Sequence, residues 1–229
     1  MIDEGPTAAA EAAVAVPVWD VPVRVVHWSI ALLIAFSWWS AENGAMEWHI
    51  RSGLMILFLL LFRLLWGFLG SSTARFSAFM AGPSRLSTYL RDPAGWTKVG
   101  HTPLGALSVV ALLTLLLLQI AFGLPLSDED GTVSGPLNRL VSFDTAEWAH
   151  DVHEILFNVL LAFIVLHVAA ILFYRWKGRH LVGAMVTGSS KDYPAGTEGL
   201  VKAGAGRLAI SLAIAAGITW WIANGVPGL

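Results

Sequence analysis

Apolar residues do not alternate with polar ones along this chain. They come in five long blocks, separated by links rich in charge, Gly and Pro. The first block runs from Pro22 to about Ala41, the second from His49 to Leu69, and the third from His101 to about Gly123. The fourth runs from Asp144 to Lys177 and the last from Leu208 to Asn224. A helix of roughly 20 residues crosses the hydrocarbon core of a bilayer. Where water is absent, a helix satisfies its own backbone groups, so apolar runs of this length predict transmembrane helices. The pattern therefore predicts an all-α membrane protein, a four-helix transmembrane bundle plus a fifth C-terminal helix.

Composition agrees. Of the 229 residues 56% are hydrophobic and 13% charged, against about 45–50% and 25% in soluble domains. There is no cysteine. That excludes disulfides, Cys-ligated iron–sulfur clusters, haem attached through CxxCH and thiol chemistry. Residues 1–16 are Ala-rich, with three acids and no base. They lack the basic start of a signal peptide and read as a mobile tail. Several Trp residues sit at block ends, as interfacial anchors do. Part of the link 70–100, RFSAFMAGPSRLSTYL, mixes bases with aromatics and suits the membrane interface. No stretch forms a nucleic-acid-binding patch.

Charge sets the expected orientation. The link 67–100 holds four bases against Asp92, and the link 174–207 holds six against Asp192 and Glu198. The links 42–48 and 124–147 carry seven acids and a single base, Arg139. Basic links stay in the cytoplasm, so the N-terminus is expected inside and the C-terminus in the periplasm.

Two histidines stand inside the fourth block, His153 and His167, fourteen residues apart. On one helix that is about 21 Å of rise and a rotation some 40° short of four turns, so both imidazoles share a face. Ionisable groups at membrane depth are costly and usually functional, and imidazole is a common axial ligand of haem iron. The competing reading is two satisfied structural histidines. Topology supplies partners, because His49 opens the second block at the outer level of His153, and His27 opens the first at the inner level of His167. Four imidazoles in two pairs make two bis-His haem b sites, and six-coordinate iron favours electron transfer over oxygen chemistry. His150 is the alternative outer ligand, but it is about 100° out of phase with His167. His180 lies past the basic stop and reads as solvated.

Supporting groups are visible at both levels. Gly53 and Gly105 leave room beside a helix backbone for a porphyrin face, or mark ordinary small-residue packing. Arg51 at the outer level, and Arg24 and Arg63 at the inner level, are candidates for propionate pairing or for snorkelling to headgroups. His101 starts the third block on the inner side, where it can meet a propionate or line a quinone pocket; it is not expected to ligate iron.

VWDVPVRVVHW, HIRSGLMILFLLLFRLLWGFLG, GHTPLGAL and HEILFNVLLAFIVLHVAA together resemble the prokaryotic cytochrome b561 family, which includes the b-type cytochrome subunits of membrane-bound Ni,Fe-hydrogenases. The resemblance covers about residues 17–188 and implies a dihaem bundle there, with His27, His49, His153 and His167 as ligands and quinone as a redox partner. Residues 189–206 are then a cytoplasmic linker and 207–229 an additional helix beyond the minimal pattern, with Ala209, Ala213 and Gly217 forming one small-residue face. The expected function is transmembrane electron transfer between the quinone pool and a periplasmic redox protein, a c-type cytochrome or a hydrogenase-like subunit. A superoxide:quinone oxidoreductase is the alternative within the family. A haem-free membrane transporter is the alternative outside it.

Overall fold

The computed structural model of the chain describes residues 15–80, 82–93, 95–127, 133–194 and 196–228. Among the described residues are five helices long and apolar enough to cross a membrane, so this is a multi-spanning, all-α membrane protein. Helix α1 (Val21–Glu42) starts where Asp20 accepts the Val23 N–H at 2.9 Å and Pro22 fills a first-turn position that has no N–H to satisfy. A tight turn, with Gly44 at φ +68°, leads into α2 (Met46–Leu69). The second carboxylate oxygen of Asp20 accepts the Trp66 indole N–H at 2.9 Å, which ties the start of α1 to the last turn of α2.

Two short helices, α3 (Phe76–Phe79) and α4 (Pro83–Arg91), precede α5 (Pro103–Gly123). The N-cap of α5 is Thr102, so His101 sits just before the helix rather than opening it. Helix α6 (Phe143–Trp176) has 34 residues. At about 51 Å it exceeds the roughly 30 Å hydrocarbon core and must tilt or project beyond it. Its N-cap is Ser142, whose hydroxyl accepts the Thr145 N–H. Asp144, two residues past the cap, places its charge in the first turn. The short α7 (Leu181–Thr187) and the last span, α8 (Ala205–Ala223), complete the helices.

Helix α1 packs on α2, α5 packs on α6, and α2 also meets α5 and α8. Helix α2 is thus the centre of the fold. Its residues Leu59, Phe62 and Trp66 bury against Val23 and Val26 of α1 and Ala215 of α8. Its Ile56, Leu57 and Leu60 bury against Leu116 and Ile120 of α5 and Leu160 of α6. The outward faces remain apolar, with Leu32, Phe68 and Leu166 all exposed, as lipid contact requires.

Helix α8 docks through Ser211 and Ala215, both fully buried, whereas Ala209, Ala213 and Gly217 face away from the bundle. Small residues recur every fourth position on both faces, so spacing alone cannot choose between them. Packing against α2 does.

The start of the described chain and the link before α8 are stitched together. Val16 and Pro17 (β1) pair antiparallel with Ser190 and Ser189 (β2). Leu200 donates to the Pro17 carbonyl at 2.8 Å, and Ala203 to the Ser71 hydroxyl at 3.1 Å. Most of the expected tail, residues 1–14, lies outside the described residues, as do the acids Asp128, Glu129 and Asp130 of the fourth link.

Candidate functional site

His49 stands in the first turn of α2 with its Nδ1 2.9 Å from the Ser37 carbonyl and 3.1 Å from the Ser37 hydroxyl. His153 stands on α6 with its Nδ1 2.8 Å from the Gln119 carbonyl. A carbonyl only accepts, so each Nδ1 carries the proton and each Nε2 keeps a free lone pair. The two ring centroids lie 6.1 Å apart, edge to face, with planes at 83°. Two in-line imidazole–metal bonds of roughly 2 Å each, plus two ring half-widths, span about 6 Å. That separation is what two imidazoles sharing one metal ion would need, and a main-chain hydrogen bond orients each ring in the way second partners orient metal-binding histidines.

Both histidines line a cavity of about 640 Å³ walled by residues of α1, α2, α5, α6 and the link after α5. That volume lies in the range of small-molecule sites. Gly53 is on its wall, and a Cβ there would meet nothing within 4 Å. At Gly123 a Cβ would sit 2.9 Å from the His153 ring, so this glycine lets the imidazole lie against the end of α5. Glu42, His150 and Glu154 also line the cavity, and His150 lies 3.9 Å from Glu154 on an exposed part of α6.

Four turns along α6, His167 lies within electrostatic reach of His27 and His101. Its Nδ1 is 3.4 Å from the Ser108 hydroxyl, at the long limit of a hydrogen bond. The Nδ1 of His27 is buried without a hydrogen-bond partner among the described residues, an orphaned polar atom of the kind that marks a missing ligand or water. His101 is held between Trp19 and Phe79, with ring centroids at 4.6 and 4.5 Å. Burial, reinforced by the Arg63 charge, pushes its imidazole pKa down to about 3, so it is neutral at physiological pH. Arg63 is buried between Phe76, 5.5 Å below its guanidinium, and Asp20, and its Nη1 has no partner among the described residues.

The other two arginines lie elsewhere. Arg24 donates to the Val186 carbonyl at 2.7 Å and so closes the end of α7. Arg51 pairs with Glu47 and lies over the Trp48 ring, exposed and off the cavity wall. It follows His49 by two residues, which turns it to the opposite side of α2. Gly105 packs in the Thr102 cap rather than beside either histidine pair. His180 is exposed and meets Asp192.

Sequence reasoning missed Ser37, Gln119 and Gly123. Two of the three act through main-chain carbonyls, which carry no residue signature. Gly123 was legible only as a helix end. Among the described residues, no group of three or more His, Cys, Asp or Glu side chains gathers as a metal site. His49 and His153 are in ring contact, while His167 lies near both His27 and His101.

Comparison with curated proteins gives no match, and comparison with solved structures gives none either. A family model described as prokaryotic cytochrome b561 matches residues 18–188, three-quarters of the chain and all four helices that wall the cavity. With that match the chain belongs to the prokaryotic cytochrome b561 family, a b-type cytochrome of the electron-transfer class embedded in the membrane.

Proposed function

We propose that this protein carries electrons across the bacterial inner membrane through two bis-histidine haems b, one between His49 and His153 and one between His27 and His167. The observation that carries the reading is the adjacent His49–His153 pair, 6.1 Å between ring centroids, with each Nδ1 committed to a main-chain carbonyl. Haem b supplies one-electron transfer at an iron that has no open coordination position.

The residues present fit that group. The carbonyls of Ser37 and Gln119 hold the two rings in one tautomer, Gly53 and Gly123 leave space beside the helices, and Ile56, Leu116, Ile120 and Leu160 give the cavity an apolar wall. At the second level Ser108 is the available partner of His167, and Arg63 is the buried cation free to meet a propionate carboxylate. The two levels are separated by about 21 Å along α6.

Following the distribution of bases, we place the N-terminus in the cytoplasm and the His49–His153 level toward the periplasm. Electrons then pass between the quinone pool and a periplasmic partner, a c-type cytochrome or a hydrogenase-like subunit. Glu42 and Glu154 at the cavity wall favour a partner with a basic patch. They disfavour superoxide as substrate, since an anion calls for a basic funnel. The bases that would supply one are engaged, Arg51 with Glu47 and Arg139 with the Gly225 and Val226 carbonyls.

The test is an absorption spectrum and haem count on the purified chain made with ample haem. Two haems b per chain with two midpoint potentials support the reading. A colourless protein leaves the transporter alternative standing instead. A rate of reduction by a basic cytochrome that falls with ionic strength supports charge-guided docking; an indifferent rate refutes it.

A further inference from the structure

The link after α5 turns back across the end of the His49–His153 cavity. Gly135 donates to the Leu126 carbonyl at 2.8 Å and Leu137 to the Leu124 carbonyl at 3.0 Å, and Ser127 bridges Ser134 antiparallel. Leu124, Leu126, Ser127 and Gly135 line the cavity, so the paired arms 124–127 and 133–137 form one of its walls. Such an edge of polar backbone, outside the helix bundle, needs something on its far side to hold it.

That support comes from the fifth span. Arg139 follows the hairpin directly, and its Nε donates to the Gly225 carbonyl at 2.9 Å. Its Nη2 donates to the Gly225 carbonyl and, at 3.2 Å, to the Val226 carbonyl. Those carbonyls belong to the turn that ends α8. The turn is fitted to the contact, since Gly225 is at φ +71° and a Cβ there would lie 3.1 Å from both the Arg139 Nε and the Pro136 carbonyl. Val226 is at φ +49° and buried. A β-branched residue rarely adopts that conformation and keeps it only where its surroundings impose it. Asn138 donates to the Pro125 carbonyl at 2.9 Å, which ties the arm beginning at 124 to the segment that carries Arg139. One turn back, Ile222 packs on the Ile56–Leu116–Ile120–Leu160 cluster beneath the cavity.

We propose that Arg139 is a positioning residue that latches the described arms 124–127 and 133–137 to the C-terminal turn of α8, and that this latch holds their wall of the His49–His153 cavity in place against water. The additional helix would thereby serve the site. The redox consequence rests on the haem assignment above; the latch itself does not.

Hydrogen exchange read by mass spectrometry on the full chain in lipid nanodiscs tests it, with Arg139→Ala, Arg139→Lys and Gly225→Val. Amides in 133–138 should exchange about tenfold faster in Arg139→Ala and Gly225→Val, as expected for a locally released segment. Arg139→Lys should fall between, and 181–190 at the other end of the molecule should not change. In the haem-loaded protein, one of two midpoint potentials should move while the other stays, because solvent exposure tunes the potential. Unchanged exchange in 133–138 overturns the proposal. So does loosening confined to 220–226, which would make Arg139 a helix cap only, or equal loosening at 181–190. Faster exchange with both potentials fixed overturns the shielding claim. A protein without haem defeats the functional reading, yet the exchange data still decide the latch.

Discussion

At the His49–His153 level, both imidazoles give their Nδ1 protons to main-chain carbonyls, meet edge to face and share a cavity. At the His27–His167 level, one Nδ1 has a long contact to Ser108 and the other is buried without a partner among the described residues. The second level has other resources, namely the neutral His101 and the buried Arg63, set in a knot of Trp19, Asp20, Trp66 and Phe79. The first level is prepared by backbone geometry. The second is prepared by side chains with unspent hydrogen-bonding capacity, and a bound group would complete it. The two histidine levels thus differ in what surrounds their rings, even though His153 and His167 share one face of α6.

The comparison can be broken most forcefully at the ligands. His153→Ala or His49→Ala should lower the haem count from two to one per chain and remove one midpoint potential, as read by haemochrome assay and redox titration. Gly123→Val comes next. Its side chain would push on the His153 ring, and occupancy of that level should fall by about 10–100-fold in affinity, the range seen when the support of a metal ligand is disturbed. The His27–His167 haem should be untouched.

Arg63→Met should sharpen the other side of the comparison. It replaces a buried cation near His101, so the midpoint potential of the His27–His167 haem should fall while its partner's holds. Loss of the positive charge favours the oxidised, more positive iron. Ser108→Ala should do least, since the 3.4 Å contact is at the edge of bonding; a large loss of haem there would show that the second level is as dependent on its hydrogen bond as the first.

Acid should also find the second level. His101 in the folded protein stays neutral down to about pH 3, while in the unfolded chain it takes up a proton near 6.5. The unfolded state therefore binds more protons between those values, and stability falls as pH drops from 6.5 toward 3. His101→Gln should flatten that part of the thermal-stability profile.

Much of this was legible in the sequence. The spans follow from the length of the apolar runs, and the shared face of His153 and His167 follows from fourteen residues on one unbroken helix. The same arithmetic explains two arginines. Arg63 follows His49 by fourteen residues and is buried on the interior side of α2, whereas Arg51 follows by two and faces out. The tautomer-fixing carbonyls of Ser37 and Gln119 were not legible, because any residue offers the same acceptor. Nor was the face of α8, where two stripes of small residues compete and only contact with α2 selects Ser211 and Ala215. The Arg139 latch joins residues 86 apart in sequence, and no local pattern announces it.

The pairing of the four histidines is the central claim, and double substitutions test it most directly. Haem should be counted in His49→Ala/His153→Ala, which removes both ligands of one level, and in His49→Ala/His167→Ala, which removes one from each. The first should keep one haem per chain and the second none. If the first is colourless, or the second still holds a full haem, the histidines are not paired by level and the account is wrong.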